Sequence, residues 1–298
     1  MVEVLTITRE IVKNYVMHSE LVRRHRGSRS AAPDLAKGIE AARRTAQFYQ
    51  THLRRLGYAE PRFDGKRVLE VGPGSHLGIP LWFLAHGAAF AAAVDRYPDL
   101  MRPPGLAEFH QRWIQDWPAE AREHVASLAQ QPAPAFQTRT GPLHYCAPLC
   151  IEHAAEALPG KFDIVLSFNV LGYVTDVDAT FHALYALMGP GAVMVHRIHH
   201  GTHGRVDGVR AGWLHQYTYS RRVWRMMYSN RGGPNREPAS AYLKACRAAG
   251  FADAALDAVQ RLPDEVVEQN RALVHPSFAG WSHDDFAVHS SVLVARRP

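Results

Sequence analysis

The sequence predicts an α/β fold with a doubly wound, mostly parallel sheet, and three stretches support this prediction. Residues 67–78 place a short apolar run directly before a glycine-rich turn, and an apolar helix is expected from Ile79. A second apolar run ends at Asp95, and residues 162–168 are apolar on both faces, as a central parallel strand should be. Strand, glycine turn and helix together form the first unit of a nucleotide-binding sheet.

The spacing of the glycines narrows the class of ligand. Gly72 and Gly74 allow a ligand to approach the backbone closely, or allow a positive φ, where a Cβ would clash. A dinucleotide-binding loop needs the pattern G-x-G-x-x-G. Here Leu77 stands at the third glycine position and Gly78 follows one residue later. The spacing therefore argues against a nicotinamide-dependent oxidoreductase.

Length and composition limit the class of protein further. The chain has 298 residues, 47% of them hydrophobic, which is enough for one large domain with additions. No run approaches the ~20 apolar residues that span a bilayer. The first residues lack signal-peptide character, and three cysteines suit a reducing compartment, so we expect a cytoplasmic protein. The net charge of +6 is spread along the chain, which argues against a nucleic-acid partner.

Two helices are expected before the first strand. Thr8 is predicted to cap the first, whose apolar positions lie on one face. The second is predicted to start near Pro33 and to end at Gly57, with an apolar stripe at helical spacing. Residues 23–29 form either a solvated basic loop or an arginine lid over an anionic substrate group. We therefore divide the chain into an N-terminal helical cap (1–60) and a main domain (61–298).

The rest of the chain alternates strands and helices. Further strands are expected at 88–94, 143–145, 192–195 and 287–295, the last of them antiparallel at the sheet edge. Thr175 is predicted to cap the helix that follows residues 162–168. Two long connections, at about 96–142 and 201–240, are interpreted as insertions.

The glycine turn also carries a family resemblance. Residues 68–75, Val-Leu-Glu-Val-Gly-Pro-Gly-Ser, and Val94-Asp95 at the end of the next strand resemble motifs I and II of class I S-adenosylmethionine (SAM)-dependent methyltransferases. The resemblance implies a seven-stranded Rossmann-like sheet, SAM as the cofactor, and methylation of an oxygen or nitrogen of a small molecule. The sequence resembles the bacterial small-molecule type of the family. The resemblance favours a role in secondary metabolism, and it is compatible with a homodimer.

The same resemblance implies which residues hold the cofactor. The Asp95 carboxylate can accept hydrogen bonds from both ribose hydroxyls, and Glu70 would orient the methionyl ammonium. In the family an acid usually contacts the adenine amino group, but Cys150 stands at that position, so apolar and backbone contacts near Ile151 are expected instead. The other predicted cofactor residues are Gly72, Pro73, Gly74, Ser75, Gly78, Arg96 and Asn169.

The stretch after the fourth strand is similar to motif IV of the family. Gly172 and Tyr173 replace the Glu and His of its common form, so no acid/base role is carried over. We still expect Asn169 and Tyr173 to face the methyl donor. Tyr173, Arg197 and Trp213 are the predicted substrate-binding residues. The lost Glu-His pair keeps open a non-catalytic SAM-binding or partner-binding protein of the same fold.

Four histidines within residues 196–203 follow the fifth strand. We predict His199, His200 and His203 as candidate general bases that take a proton from the substrate. Two alternatives stay open, namely a metal that lowers the pKa of the nucleophile and a merely polar loop. Because no clustered carboxylates accompany the histidines, no metal site is predicted.

Overall fold

The fold is built around one large sheet. A computed structural model describes residues 2–17, 35–58, 62–97, 105–131, 141–201, 212–230 and 232–298. Within these ranges seven strands pair in the order β3-β2-β1-β4-β5-β7-β6. They are β1 (Arg67–Val71), β2 (Phe90–Val94), β3 (Leu143–Cys146), β4 (Phe162–Phe168), β5 (Met188–His199), β6 (Ala252–Arg261) and β7 (Val288–Arg296).

Helices cover both faces of the sheet. The described helices are α1 (Val2–Val16), α2 (Leu35–Arg55), α3 (Gly78–Ala85), α4 (Leu106–Gln115), α5 (Ala119–Ala129), α6 (Ala154–Ala157), α7 (Val177–Leu187), α8 (Arg221–Tyr228), α9 (Ala239–Ala248), α10 (Asp264–Arg271) and α11 (His283–Ala287). Buried side chains of α2 to α5 form the core on one face, and those of α6, α7 and α9 form the core on the other. The predicted doubly wound α/β fold is confirmed.

Strand order explains where a ligand can bind. The chain winds outward from β1 through β2 to β3, then returns to β4 on the other side of β1. Open α/β sheets bind ligands where the order reverses in this way, beyond the carboxyl ends of the strands. The predicted antiparallel strand is β7. It pairs antiparallel with both β5 and β6, one place in from the edge.

The second N-terminal helix follows its predicted pattern. Its apolar stripe is buried at Ala42, Ala46, Tyr49 and Leu53, in the same core as α3, and Gly57 follows with a φ of +103°. The division of the chain at residue 60 stays a prediction, as do the limits of the two insertions. The basic segment 23–29 and Pro33 lie outside the described residues.

Two predicted helix caps are wrong. Thr8 lies inside α1, where its Oγ1 donates to the carbonyl of Val4, because α1 already begins at Val2. Thr175 does not cap α7, since the Asp176 side chain accepts the Ala179 amide instead. The first helix also differs in its packing. Ile11 packs against α8, whereas Tyr15 is 80% exposed. None of the helices in the described ranges is both long and apolar enough to cross a membrane.

Burial of α2 gives a prediction about stability. Leu53 is 1% exposed, so Leu53→Ala should lower the free energy of unfolding by about 2–5 kcal/mol through lost burial and a cavity. Thr51 is exposed on the same helix, and Thr51→Ala should change the free energy of unfolding by no more than about 0.5 kcal/mol. Urea denaturation measures both. Equal effects of the two substitutions would show that α2 is not part of the core.

Candidate functional site

A tight glycine turn closes the carboxyl end of β1. Gly72 and Gly74 both have a φ of +70°. The Gly72 amide donates to the Val94 carbonyl on β2, and a Cβ at Gly72 would lie 2.4 Å from a methyl carbon of Val170. A Cβ at Gly74 would meet nothing within 4 Å, so that position opens into free space. Glycine at 72 therefore allows the loops after β1 and β4 to meet.

A cavity of about 280 Å³ lies beside this turn. It is lined from the carboxyl ends of β1, β2 and β4 and from the loop after β3, where the reversed strand order predicts a ligand. Its volume is near the lower limit of about 300 Å³ for small-molecule sites. The predicted site residues that line it are Gly72, Gly74, Asp95, Arg96, Cys150, Ile151, Asn169 and Tyr173.

Asp95 brings a carboxylate into this cavity. Its Oδ1 accepts the Tyr97 amide at 2.8 Å, and its backbone carbonyl accepts the Leu149 amide from the loop after β3. Burial raises the pKa of Asp95 to about 6, against the lowering by hydrogen bonds from the backbone at Tyr97 and Gly74. The hydrogen bonds thus fix the Asp95 side chain in position, but their effect on its pKa is smaller than the effect of burial.

Glu70 is a second buried carboxyl group, one strand away from Asp95. Its Oε2 has no hydrogen-bond partner in the described part of the chain. Burial, together with the nearby Asp95, raises the pKa of Glu70 to about 8. A cationic group placed beside Glu70 would both satisfy this oxygen and favour its ionised form.

A third acid lines the cavity and also holds its loops together. Glu152 Oε1 accepts the Thr175 amide at 2.8 Å and the Asp176 amide at 3.4 Å, and so joins the loop after β3 to the loop after β4. Arg96 reaches across the cavity mouth to Thr175, with 3.5 Å between Nη1 and Oγ1. The two walls of the cavity are therefore fixed relative to each other.

Four predicted cofactor residues, Glu70, Pro73, Ser75 and Gly78, do not line the cavity. Gly78 is the first residue of α3, buried against α4, and its carbonyl accepts the Trp113 indole N–H at 2.8 Å. Pro73 is buried in the turn, and Ser75 is exposed on its outer side. Gly78 is needed for the packing of two helices, since a Cβ there would lie 3.2 Å from Trp113. Placing it in the site was wrong.

The predicted catalytic histidines separate from one another. His200 is 4% exposed, its Nε2 is hydrogen-bonded to Ser291 Oγ at 2.8 Å, and burial lowers its pKa to about 3. A base role for His200 is therefore a wrong prediction, because its imidazole is turned into the sheet and resists protonation. His199 stacks edge-to-face on His289, with 4.6 Å between ring centroids. His203 lies outside the described residues.

The predicted substrate residues also occupy different places. Tyr173 lines the cavity, and burial raises its pKa to about 12. Arg197 lies at the carboxyl end of β5, with its guanidinium 4.8 Å from the Phe168 ring centre. Trp213 is 47% exposed and packs edge-to-face on His289, away from the cavity. Among the described residues, no group of three or more His, Cys, Asp or Glu side chains is placed to hold a metal.

A second, larger cavity of about 700 Å³ adjoins the first. The two cavities share Arg96, Tyr173, Val174, Thr175 and Gly232. Helix α8 and the loop after it form the far wall of the larger one. Trp224 packs inside this wall, and its indole N–H donates to the Pro234 carbonyl at 2.9 Å. The predicted insertion thus closes over the nucleotide-binding edge of the sheet.

Several residues that line the first cavity were missed from sequence. Tyr97 could have been predicted, because the amide two residues after an Asp at a strand end commonly donates to that carboxylate. No pattern in the sequence indicated that Gly232 lines the cavity. It reaches the cavity only because the insertion folds back over β2, where a Cβ at Gly232 would lie 2.9 Å from the Tyr97 hydroxyl.

Comparison with known proteins identifies the family. A family model described as a methyltransferase domain matches residues 41–256, which is most of the chain. The chain belongs to this family. The described chain is therefore a methyltransferase domain, in agreement with the resemblance of its glycine turn and Asp95. Its sequence matches no curated protein at a significant level.

Solved structures share the fold at low sequence identity. A Haemonchus contortus phosphoethanolamine N-methyltransferase 2 in complex with SAM is 16% identical, with a TM-score of 0.44 over 83% of this chain and 51% of that one. This methyltransferase thus spans about half the length of that chain. A Mesorhizobium loti SAM-dependent methyltransferase is 19% identical, with a TM-score of 0.45 over 82% and 96% of the two chains.

The residues of the cavity fit this cofactor. SAM carries a ribose with two hydroxyls, a methionyl ammonium and a charged sulfonium. Asp95 supplies an acceptor for the hydroxyls, and the orphaned Glu70 oxygen lacks a cation. The open space at Gly74 leaves the turn accessible to a ligand. Asp95 therefore suits the ribose hydroxyls, and Glu70 suits the methionyl ammonium.

Glu70 gives a prediction about stability and pH. Its pKa is about 8 in the folded protein and 4.5 as its ordinary value. The folded state therefore holds the proton more tightly, and stability falls as pH rises from 4.5 to 8, by at most about 1.4 kcal/mol per pH unit. Glu70→Gln removes this loss. In urea, it should be much more stable than the wild type at pH 9 and similar at pH 5.

The control is Glu123→Gln, on the exposed face of α5, for which we expect the same stability difference at both pH values. A Glu70→Gln difference that does not grow with pH would mean that Glu70 is neither buried nor uncompensated.

Proposed function

We propose that this methyltransferase transfers the methyl group of SAM to an oxygen or nitrogen of a small molecule. The observation that carries the proposal is the pair of buried carboxyl groups, Asp95 and Glu70, beside a glycine turn with an open face. A titration with S-adenosylhomocysteine (SAH) and a matched titration with NADPH test it. We expect binding of SAH only, and the reverse would indicate an oxidoreductase.

Each residue would have a separate task in binding. Amides of the turn around Gly72 and Gly74 would receive the methionyl part, Asp95 the ribose, and Glu70 the ammonium. Cys150 and Ile151 would contact the adenine through apolar atoms and backbone groups. Tyr173 and Asn169 would border the place where the acceptor meets the methyl group.

The chemistry asks little of the protein beyond alignment. The sulfonium supplies an activated methyl group, whose bond to sulfur breaks as the acceptor's lone pair bonds to the methyl carbon. Holding the acceptor in line contributes an effect that can reach about 7–11 kcal/mol in well-oriented reactions. The proton released by a hydroxyl or amine would pass to a base. His199 and His203 stay candidates for that base, whereas His200 does not.

The cysteines bear on the cellular compartment of the protein. Three free cysteines are typical of proteins from a reducing compartment, so we infer a cytoplasmic enzyme. A role in secondary metabolism, a homodimeric state and the lack of a nucleic-acid partner remain predictions from the sequence.

Asp95 gives the first prediction about binding. Asp95→Ala should weaken SAH binding at least tenfold, about 1.4 kcal/mol, because both ribose hydroxyls lose their acceptor. Calorimetry with adenosine and 2′,3′-dideoxyadenosine then isolates the hydroxyls. The wild type should prefer adenosine, whereas Asp95→Ala should bind both equally weakly. An unchanged preference would remove Asp95 from the ribose site.

Two glycines give a matched second prediction. Gly74 and Gly57 both have positive φ, and a Cβ at either would meet nothing within 4 Å. Alanine at either position should therefore lower stability by about 1–2 kcal/mol through backbone strain. Only Gly74→Ala should also lower the affinity for SAH, since its Cβ would enter the cofactor site. Equal SAH affinity in the two variants would contradict the proposed position of the cofactor.

A further inference from the structure

Arg197 lies on the same side of the sheet as Glu70. Side chains alternate along a strand, and Arg197 follows Val193 and Val195, which belong to the core under α2. Its guanidinium stacks over Phe168, whose ring in turn contacts Phe48 of α2 at 5.3 Å between centroids. Arg197 therefore points into the space between the carboxyl ends of β4 and β5 and helix α2.

Arg197 has no counter-ion in the described part of the chain. In the described residues no carboxylate lies within ion-pair distance of it, its Nε has no hydrogen-bond partner, and burial lowers its pKa. The buried Arg236 differs, because its Nη1 and Nη2 donate to the carbonyls of Gln216, Tyr219 and Ser220. A half-buried cation without partners is costly unless a ligand supplies the opposite charge.

Two polar atoms near Arg197 also lack hydrogen-bond partners in the described residues. Asn169 has a φ of +60°, its amide donates to the Arg197 carbonyl, and its Oδ1 is buried without a partner in the described ranges. The Tyr49 hydroxyl of α2 is likewise buried without a described partner, on the face where Tyr49 packs against Phe168. Groups without described partners, after β4, on β5 and on α2, thus lie close to Phe168.

We propose that Arg197 forms the anion-recognising part of the acceptor site, so that the methyl acceptor is a small molecule bearing a carboxylate or phosphate group. This rests on the proposed function. Arginine suits either group, because its planar fork can donate two parallel hydrogen bonds to two oxygens. Asn169, between Arg197 and the cofactor cavity, would contact the acceptor near its reacting atom.

The position of Arg197 favours the acceptor over the cofactor's own carboxylate. Glu70 pairs with Leu166, which pairs with Val195, so Arg197 is two strands away and two residues further along. These steps are about 10 Å and about 7 Å. The methionyl ammonium and carboxylate share one carbon atom. A cofactor held by Glu70 therefore leaves Arg197 for a second molecule.

The test uses Arg197→Gln and the SAH-loaded protein. The probes are inorganic phosphate, phenyl phosphate and benzoate, with benzamide as the uncharged analogue, all at constant ionic strength. Arg222→Gln, on the exposed face of α8, removes the same charge elsewhere, and Arg197→Lys keeps the charge without the fork. Calorimetry with SAH and with 5′-methylthioadenosine, which lacks the amino-acid part, shows whether each variant is folded and which ligand Arg197 contacts.

We expect saturable binding of phenyl phosphate or benzoate, but not benzamide, to the wild type and to Arg222→Gln. The better probe identifies phosphate or carboxylate as the group. Arg197→Gln should weaken that binding at least tenfold, Arg197→Lys less, with SAH affinity unchanged within about threefold. Anion binding that survives in Arg197→Gln, or is absent from the wild type, overturns the proposal.

A further outcome separates the cofactor from the acceptor. If Arg197→Gln loses SAH affinity while 5′-methylthioadenosine binds as before, Arg197 holds the cofactor's carboxylate and the proposal is wrong. If the wild type binds no SAH at all, the proposed function itself fails, and the acceptor site fails with it.

Discussion

Two buried carboxyl groups with no described basic partner are the constraint on which the site depends. Glu70 and Asp95 lie at the ends of adjacent parallel strands. Burial raises the pKa of both, and the nearby Asp95 raises the pKa of Glu70 further. Such an arrangement opposes folding at neutral pH. A ligand that brings a cation and two hydroxyl donors would relieve it. The site is therefore complementary to the adenosyl and methionyl groups together.

The surrounding fold holds these groups in place at the expense of local strain. The two glycines of the turn after β1 adopt a positive φ without strain, whereas Asn169 adopts a positive φ with a Cβ. Backbone conformations of this kind are tolerated where the surrounding structure determines them, and they concentrate at functional sites. Here the surroundings are the Gly72–Val170 contact and the hydrogen bonds from Glu152 to the loop after β4.

Sequence patterns predicted the parts of this site that depend on local chemistry. The glycine turn and Asp95 are local, because strand, turn and acid follow one another along the chain. Gly232 and the covering of the cavity by α8 could not be predicted, since they result from a long insertion that folds back. The error at Gly78 has a similar cause, as a glycine needed for helix packing resembles one needed for a ligand. The prediction for His200 failed because the composition of residues 196–203 does not show which of their side chains the sheet buries.

In the proposed arrangement, Arg197 and Glu70 would divide the carboxyl edge of the sheet between two molecules. Glu70 would pair with a cation and Arg197 with an anion, and β4 lies between their strands. A methyl donor and a charged acceptor bound in this way would meet near Asn169 and Tyr173. The charges of the site would then set the orientation of both, which is the main requirement of methyl transfer.

The most direct test of the central claim is calorimetric titration with SAH at pH 7 in buffers of different ionisation enthalpy. Glu70, with a pKa of about 8, should lose its proton when the ammonium binds. We therefore expect one SAH per chain and a net release of protons. Binding without proton release, or no binding, would contradict the claim that Glu70 awaits the cofactor's cation.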